Sequence, residues 1–263
     1  MQPESQFYCF REGVLESLNA LELEPSIAAA DSWLVEDGRV RSLDAHFDRF
    51  TKAIEQVAPS HLPLLPTFFE AVTAVLPRVG RWFPRIEFHS DVDTSHHLHL
   101  RLREAPEALD TISLWTLDEA DPRTKPTIKG PDLSLGQQLR RRANLHGADE
   151  AVLIDRDGYV AECALASLVW WRDEVLCAPG PETAWLDSVT RREIFAVAEQ
   201  AGFKTRTEHV KPESLIGLEI WVLSSLHGIR EVTEWSNLGG PIARATHAET
   251  FRRRLRLLST NLD

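Results

Sequence analysis

Residues 151–179, AVLIDRDGYVAECALASLVWWRDEVLCAP, restrict the fold more tightly than any other stretch of the chain. Apolar runs rich in valine, isoleucine and aromatic residues alternate there with short polar breaks at Asp157-Gly158 and Arg172-Asp173-Glu174. An Asp-Gly pair between such runs is a strong hairpin signal, because both residues accept the positive φ of a tight turn. Two successive hairpins commit this region to a sheet.

Helices are predicted on either side. DLSLGQQLRRRANLHG (132–147) reads as a helix that opens on Asp132 and stops at Gly147. LDSVTRREIFAVAEQAGF (186–203) reads as another, capped by Asp187 or Ser188 and ended by Gly202. EIWVLSSLHGIREV (219–232) then runs apolar strand, polar loop, strand. Nearer the N-terminus, FYCF and DSWLVEDGRVRSL predict strands, the latter turning at Asp37-Gly38. In SLDAHFDRFTKAIEQVA, Phe47, Phe50, Ile54 and Val57 recur at helical spacing. LPTFFEAVTAVLPRV predicts a second helix, and RIEFHSD and HHLHLRLR two alternating strands. The proline-bearing REAPEALD (103–110) reads as a linker, which divides the chain into residues 1–106 and 107–263. The expected class is α/β (α+β) in two domains, with the candidate site between them.

Charge narrows the function. Lys and Arg number 29 against 40 Asp and Glu, a net −11, which argues against a nucleic-acid surface. The basic runs QLRRRAN and FRRRLRLL read as solvated helix faces. Three cysteines (Cys9, Cys163, Cys177) without a CxxC pair argue against a disulfide framework or a cysteine zinc site, and suit a reducing cytoplasm. His96, His97 and His99 alternate without a carboxylate or cysteine at ligand spacing, so no metal is expected there. The N-terminus lacks a signal-peptide pattern and no apolar run approaches 18 residues, so a soluble cytoplasmic protein without membrane contact is expected.

Four features of the second part fit one chemistry. TIKGPDLSLG (127–136) places Lys129 at what reads as a strand-to-turn junction. Glu162 closes a hairpin arm among apolar residues, LDSVTR brings hydroxyls to a helix start, and LSSLHG brings two more to a strand end. A helix N-terminus with hydroxyl-bearing loops suits a phosphate dianion. A lysine able to bond an aldehyde, a phosphate cradle and a carboxylate together suit pyridoxal phosphate. Singly, these residues also read as a surface lysine, an exposed carboxylate and a plain helix cap; only the ordered set is informative.

That order, GADEAVLIDRDGYVAECALASLVWW, then LCAP, then WLDSVTRREI, resembles the class IV aminotransferase family of fold-type IV pyridoxal-phosphate enzymes over most of 125–232. HFDRF (46–50) resembles that family's H-x-x-R-L helix. The resemblance implies a homodimer acting on a small molecule, with a smaller N-terminal α/β domain, a larger C-terminal pseudo-barrel domain, and the cofactor in the cleft between them. It makes Lys129 the cofactor-bonding lysine, Glu162 the partner of the pyridine nitrogen and Leu186 a ring contact. It assigns the phosphate to Arg49, Val189, Thr190 and Ser225. VAECALASLVWW and SSLHGIREV look most like the 4-amino-4-deoxychorismate lyase branch, whose substrate-side threonine lines up with Ser32. Arg85, Arg101 and Arg230 are candidate cations for a dicarboxylate substrate. Ser134 stands where many family transaminases carry tyrosine, Ser188 where the helix-start glycine is usual and Ser167 where asparagine is usual; AADSWLV replaces the F-E-T type motif. A transaminase of branched-chain or D-amino acids and a non-catalytic cofactor-binding relative are the alternatives.

Overall fold

Strand alternation in Arg85–His89 sends Ile86 and Phe88 to one face and Glu87 and His89 to the other, and the first half of the fold is built on that division. The structure is a computed structural model, which describes residues 5–18, 26–90 and 97–262; His96 lies outside them. The chain divides into two units: Met1–Glu107 with Ile128–Pro131 and Leu258–Asp263, and Ala108–Thr127 with Asp132–Leu257.

The first unit contains β1 (Gln6–Arg11), β2 (Val14–Leu18), β3 (Ile27–Ser32), β4 (Val35–Glu36), β5 (Arg39–Arg41), α1 (Leu43–Val57), α2 (Leu65–Val75), β6 (Arg81–Trp82), β7 (Arg85–His89) and β8 (Leu98–Leu102). An antiparallel sheet has the order β2-β1-β8-β7-β3. Its apolar face, with Ile86, Phe88, Leu98 and Leu100, packs against Phe50 and Ile54 of α1 and Phe68 and Val72 of α2. Full burial of each such side chain contributes roughly 1.5–3 kcal/mol. The β4–β5 hairpin turns at Asp37 (φ 46°) and Gly38 (φ 70°), the left-handed pair expected of Asp-Gly.

The second unit contains β9 (Thr111–Ala120), α3 (Leu133–Leu145), β10 (Glu150–Ile154), β11 (Val160–Cys163), β12 (Ser167–Arg172), β13 (Val175–Pro179), α4 (Val189–Gln200), β14 (Lys204–Glu208), β15 (Glu219–Ser224), β16 (Gly228–Trp235) and α5 (Ala248–Arg256). A mixed eight-stranded sheet has the order β11-β10-β9-β16-β15-β12-β13-β14, parallel at β9–β10, β9–β16 and β13–β14. One set of its side chains, including Leu114, Val152, Trp170 and Val222, forms a core of its own. Another, including Val169, Trp171, Trp221 and Leu223, packs under Ile194 of α4 and Phe251 of α5. Helix coverage of these strands explains why their sequence is apolar almost throughout.

Two local expectations are corrected. No strand leads into Lys129, because residues 121–132 form an irregular connection between β9 and α3. Pro122, Pro126 and Pro131 deprive that segment of the N–H groups a ladder needs. Asp132 occupies the N-cap position of α3 without capping it through its side chain. Its carboxylate instead accepts from the N–H groups of Thr124 (3.1 Å) and Lys125 (2.8 Å), which tethers the proline-rich connection.

Candidate active site

Ser32, Arg49 and Lys129 belong to the first unit. α1 presents His46 and Arg49, three residues apart and so on one helical face, toward β3. Between them lies the fully buried Asp31. It accepts from Arg49 Nε at 2.7 Å and Nη2 at 2.8 Å, from the Ser32 N–H at 2.7 Å, and pairs with His46 Nδ1 at 2.7 Å. Burial pushes this carboxyl up, yet Arg49 and His46 outweigh it and hold Asp31 well below the usual carboxylate range. Asp31 was missed in the sequence, where it reads only as the residue before Ser32.

The segment bearing Lys129 lies against the same strand. The Ala30 N–H donates to the Lys129 carbonyl at 2.6 Å. At Gly130, where φ is +145°, a Cβ would stand 2.8 Å from the Ala29 Cα, so only glycine allows this approach. The half-buried Lys129 is thereby fixed one residue before a backbone contact.

Glu162, Leu186, Val189, Thr190 and Ser225 belong to the second unit. Glu162 is 5% exposed, in a strand whose four residues are all buried. Its Oε1 accepts from the Leu186 N–H at 3.1 Å and from Arg123 Nη1. Among the described residues its Oε2 carries no hydrogen bond. Burial pushes the Glu162 carboxyl above its ordinary value, opposed chiefly by the Arg123 charge. Asp121 holds Arg123 in turn, through Nε at 3.0 Å and Nη2 at 2.6 Å. Asp121 and Arg123 carried no role in the sequence reading. The signal was present in Asp121-Pro122-Arg123, since an Asp can fold its side chain onto a backbone N–H two residues on, as Asp121 does at 3.0 Å.

α4 starts just beyond Leu186. Ser188 caps it, its Oγ accepting from the Arg191 N–H at 3.2 Å. The N–H groups of Val189 and Thr190, both 2% exposed, have no acceptor within the helix. The Arg191 guanidinium stacks 3.6 Å above the Trp185 ring, adding positive charge beside this start. Ser225 follows β15 in a turn where the Ser224 Oγ accepts from the His227 N–H at 3.2 Å.

The remaining candidates are dispersed. Arg85 pairs with Glu87 at 2.5 Å, and Glu87 also meets the buried His89 at 2.6 Å. Arg230 is 5% exposed in β16, and Ser134 is exposed on α3. His99 is buried and stacks on His89 at 4.3 Å. Among the described residues no group of three or more histidine, cysteine or acidic side chains has an arrangement suited to a metal ion. No helix among them is long and apolar enough to cross a membrane.

Glu162 thus stands in a mixed sheet with one open carboxylate oxygen, and its other oxygen is held by the backbone just before the capped start of α4. The chain belongs to the class IV aminotransferases, whose family pattern matches residues 28–235. Among curated proteins it is 33% identical over 76 residues to a probable branched-chain-amino-acid aminotransferase of Rickettsia bellii, covering 29% of this chain and 26% of that one. It is 31% identical over 102 residues to an aminodeoxychorismate lyase of Bacillus subtilis, covering 38% and 35% respectively. The matched stretches therefore span well under half of these relatives. Among solved structures, a hypothetical aminotransferase from Mycobacterium tuberculosis in its alpha-ketoglutarate and PMP bound form superposes with a TM-score of 0.79 at 19% identity, covering 96% of this chain and 98% of that one. A branched-chain aminotransferase from Thermoproteus uzoniensis with norvaline gives 0.77 at 15% identity, covering 98% of this chain and 100% of that one. These likenesses establish the α/β fold of the fold-type IV aminotransferases.

Proposed function

We propose that this protein is a pyridoxal-phosphate-dependent enzyme, and that its reaction converts 4-amino-4-deoxychorismate to 4-aminobenzoate and pyruvate. The observation carrying the cofactor reading is Glu162, nearly buried, with Oε1 engaged by Leu186 and Arg123 and Oε2 open. Burial of the residue disfavours the Glu162 charge, and a protonated pyridine ring nitrogen meeting the open Oε2 would offset that cost. The free N–H groups of Val189 and Thr190 suit a phosphate. Arg49 and Ser225 are proposed for the same phosphate, and Leu186 for the ring.

When bound, the cofactor supplies an electron sink for a bond broken at the substrate carbon beside the amine. Lys129 is proposed to hold the cofactor and, once its Nζ is released, to take the proton from that carbon. Ser32 is proposed to orient the substrate; its N–H is fixed on Asp31, so its position on β3 is set by a buried network. The products together contain every atom of the substrate, so the reaction needs no second substrate. The lyase reading is supported by the Glu162-Cys163 pair, by the exposed serine at 134 and by the matched stretch of the Bacillus subtilis lyase. Matches to branched-chain aminotransferases favour the second reading, amino transfer from an amino acid to a 2-oxo acid.

A homodimer in a reducing cytoplasm is proposed with either reading; all three cysteines are free and buried, which suits that compartment. The deciding experiment is the visible spectrum of the purified protein with pyridoxal phosphate, before and after borohydride, beside Lys129→Ala. A borohydride-sensitive band present only with Lys129 supports the cofactor reading, and its absence from the parent protein ends it. Incubation with 4-amino-4-deoxychorismate and no 2-oxo acid then separates the reactions, because only the lyase releases pyruvate.

A further inference from the structure

We infer that Arg123, itself held by Asp121, is a positioning residue that fixes Glu162 as a carboxylate with Oε2 turned toward a ligand. The inference deepens the cofactor reading above and rests on it for the ligand's identity. Three observations support it. First, Arg123 is immobilised on several sides. Its Nε contacts both oxygens of Asp121 at 3.0 Å, its Nη2 donates to Asp121 Oδ2 at 2.6 Å and to the Ala184 carbonyl at 3.3 Å, and its own N–H donates to Asp121 Oδ1. Asp121 is anchored through its N–H on the Ile154 carbonyl at 2.8 Å, at the end of β10. Second, the remaining fork of the guanidinium, Nη1, reaches Glu162 Oε1. The Leu186 N–H converges on that same oxygen. Both donors therefore select Oε1 and leave Oε2 as the free face. Third, the side chains of Arg123 and Glu162 are each only 6% exposed, so water does not screen the pair.

The charged and titratable groups around Glu162 are few. Arg123 and Asp121 approach from the connection after β9, Cys163 is its neighbour on β11, and Arg191 contributes positive charge from α4. Of the two guanidiniums only Arg123 touches the carboxylate. A ring nitrogen that is a weak base keeps its proton beside an anion and loses it beside a neutral acid. Without Arg123 the buried Glu162 would take up a proton, and the ring nitrogen would face a neutral group. Lysine is no substitute, because a single ammonium cannot span Asp121 and Glu162 with the geometry of a fork.

The test has a readout that needs no cofactor. In cofactor-free protein, the infrared carboxyl band that disappears in Glu162→Gln reports the titration of Glu162. In Arg123→Gln its midpoint rises by about one to three pH units relative to the parent protein. An unchanged midpoint overturns the inference, whether or not pyridoxal phosphate binds. With pyridoxal phosphate added, Arg123→Gln weakens the dissociation constant by roughly 10–100-fold, the effect of losing a hydrogen bond to a charged group. The double variant Arg123→Gln/Glu162→Gln is no weaker than Glu162→Gln alone; additive losses overturn the inference. Arg123→Met, which likewise removes the guanidinium charge, is the second variant should Arg123→Gln fail to fold, and it shifts the same midpoint in the same direction. A parent protein that titrates as expected but gives no Lys129-dependent band refutes the cofactor reading and leaves the Arg123 effect measured.

Discussion

Replacing Asp31 by asparagine keeps the shape of the side chain and removes its charge, which isolates what the carboxylate contributes. In the parent protein Asp31 is fully buried and faces Arg49 through two nitrogens and His46 through one. Removing one partner of such a buried pair costs about 3–5 kcal/mol, because the other charge stays buried without compensation. With a urea slope of about 2 kcal/mol per molar, the midpoint falls by about 1.5–2.5 M. Cys9, 1% exposed on β1, is the only cysteine of the first unit, so urea-dependent thiol labelling read by peptide mass spectrometry follows that unit specifically. The effect depends on pH with a defined sign. The folded carboxyl is held below its unfolded value, so as pH falls the unfolded chain binds the proton first. The contribution of Asp31 is complete above the unfolded range near about 4 and is lost progressively below it. Asp31→Asn therefore lowers stability at pH 7 and flattens the acid limb of the parent curve. A midpoint for Asp31→Asn within error of the parent refutes the reasoning. So does an equal loss when the substitution is made in an Arg49→Met background, since that would mean the two groups are not coupled.

Three further outcomes follow from single observations. Gly130→Ala forces either the Lys129 segment or β3 to move, because its Cβ would lie 2.8 Å from the Ala29 Cα at a φ of +145°; a loss of about 1–3 kcal/mol is expected, with faster hydrogen exchange at the Ala30 amide, and parent-like protection there argues against the tight contact. Burial pushes the Glu150 carboxyl up to about 7, so between the unfolded range near about 4.3 and that value the folded state keeps a proton that the unfolded state releases. Stability then falls as pH rises through this window, and Glu150→Gln removes that part of the slope in denaturation curves taken across it. Ser188→Ala deletes the cap of α4 and is expected to destabilise by about 0.5–2 kcal/mol in thermal unfolding, with weaker binding of inorganic phosphate at the helix start; unchanged phosphate binding would separate the cap from the anion site.

What could be read from the residues divides along a physical line. Features set by neighbours in sequence were legible. Asp37-Gly38 specifies its turn through local backbone preference, Gly158 alone takes the left-handed conformation in the longer loop 155–159, and Phe47, Phe50 and Ile54 mark a helix face whatever lies opposite. Features set by contacts between distant residues were not. β9 went unread although it is the longest strand among the described residues and pairs on both sides, with β10 and β16. Its run TISLWTLDEA follows directly on the proline-bearing linker, and its partners are supplied by residues dozens of positions later. Lys129 illustrates the same division. Its apolar neighbours suggest a strand locally, yet the prolines around it forbid a ladder, and the position of its segment is fixed by Ala29 and Ala30, about a hundred residues earlier. The ion-pair networks are the extreme case. Nothing near Glu162 in sequence says that Arg123 will meet it, and nothing near Asp31 announces His46 and Arg49. A charge can be buried only if folding delivers its partner, so the groups that tune a buried carboxylate are the ones a sequence reading is least able to find.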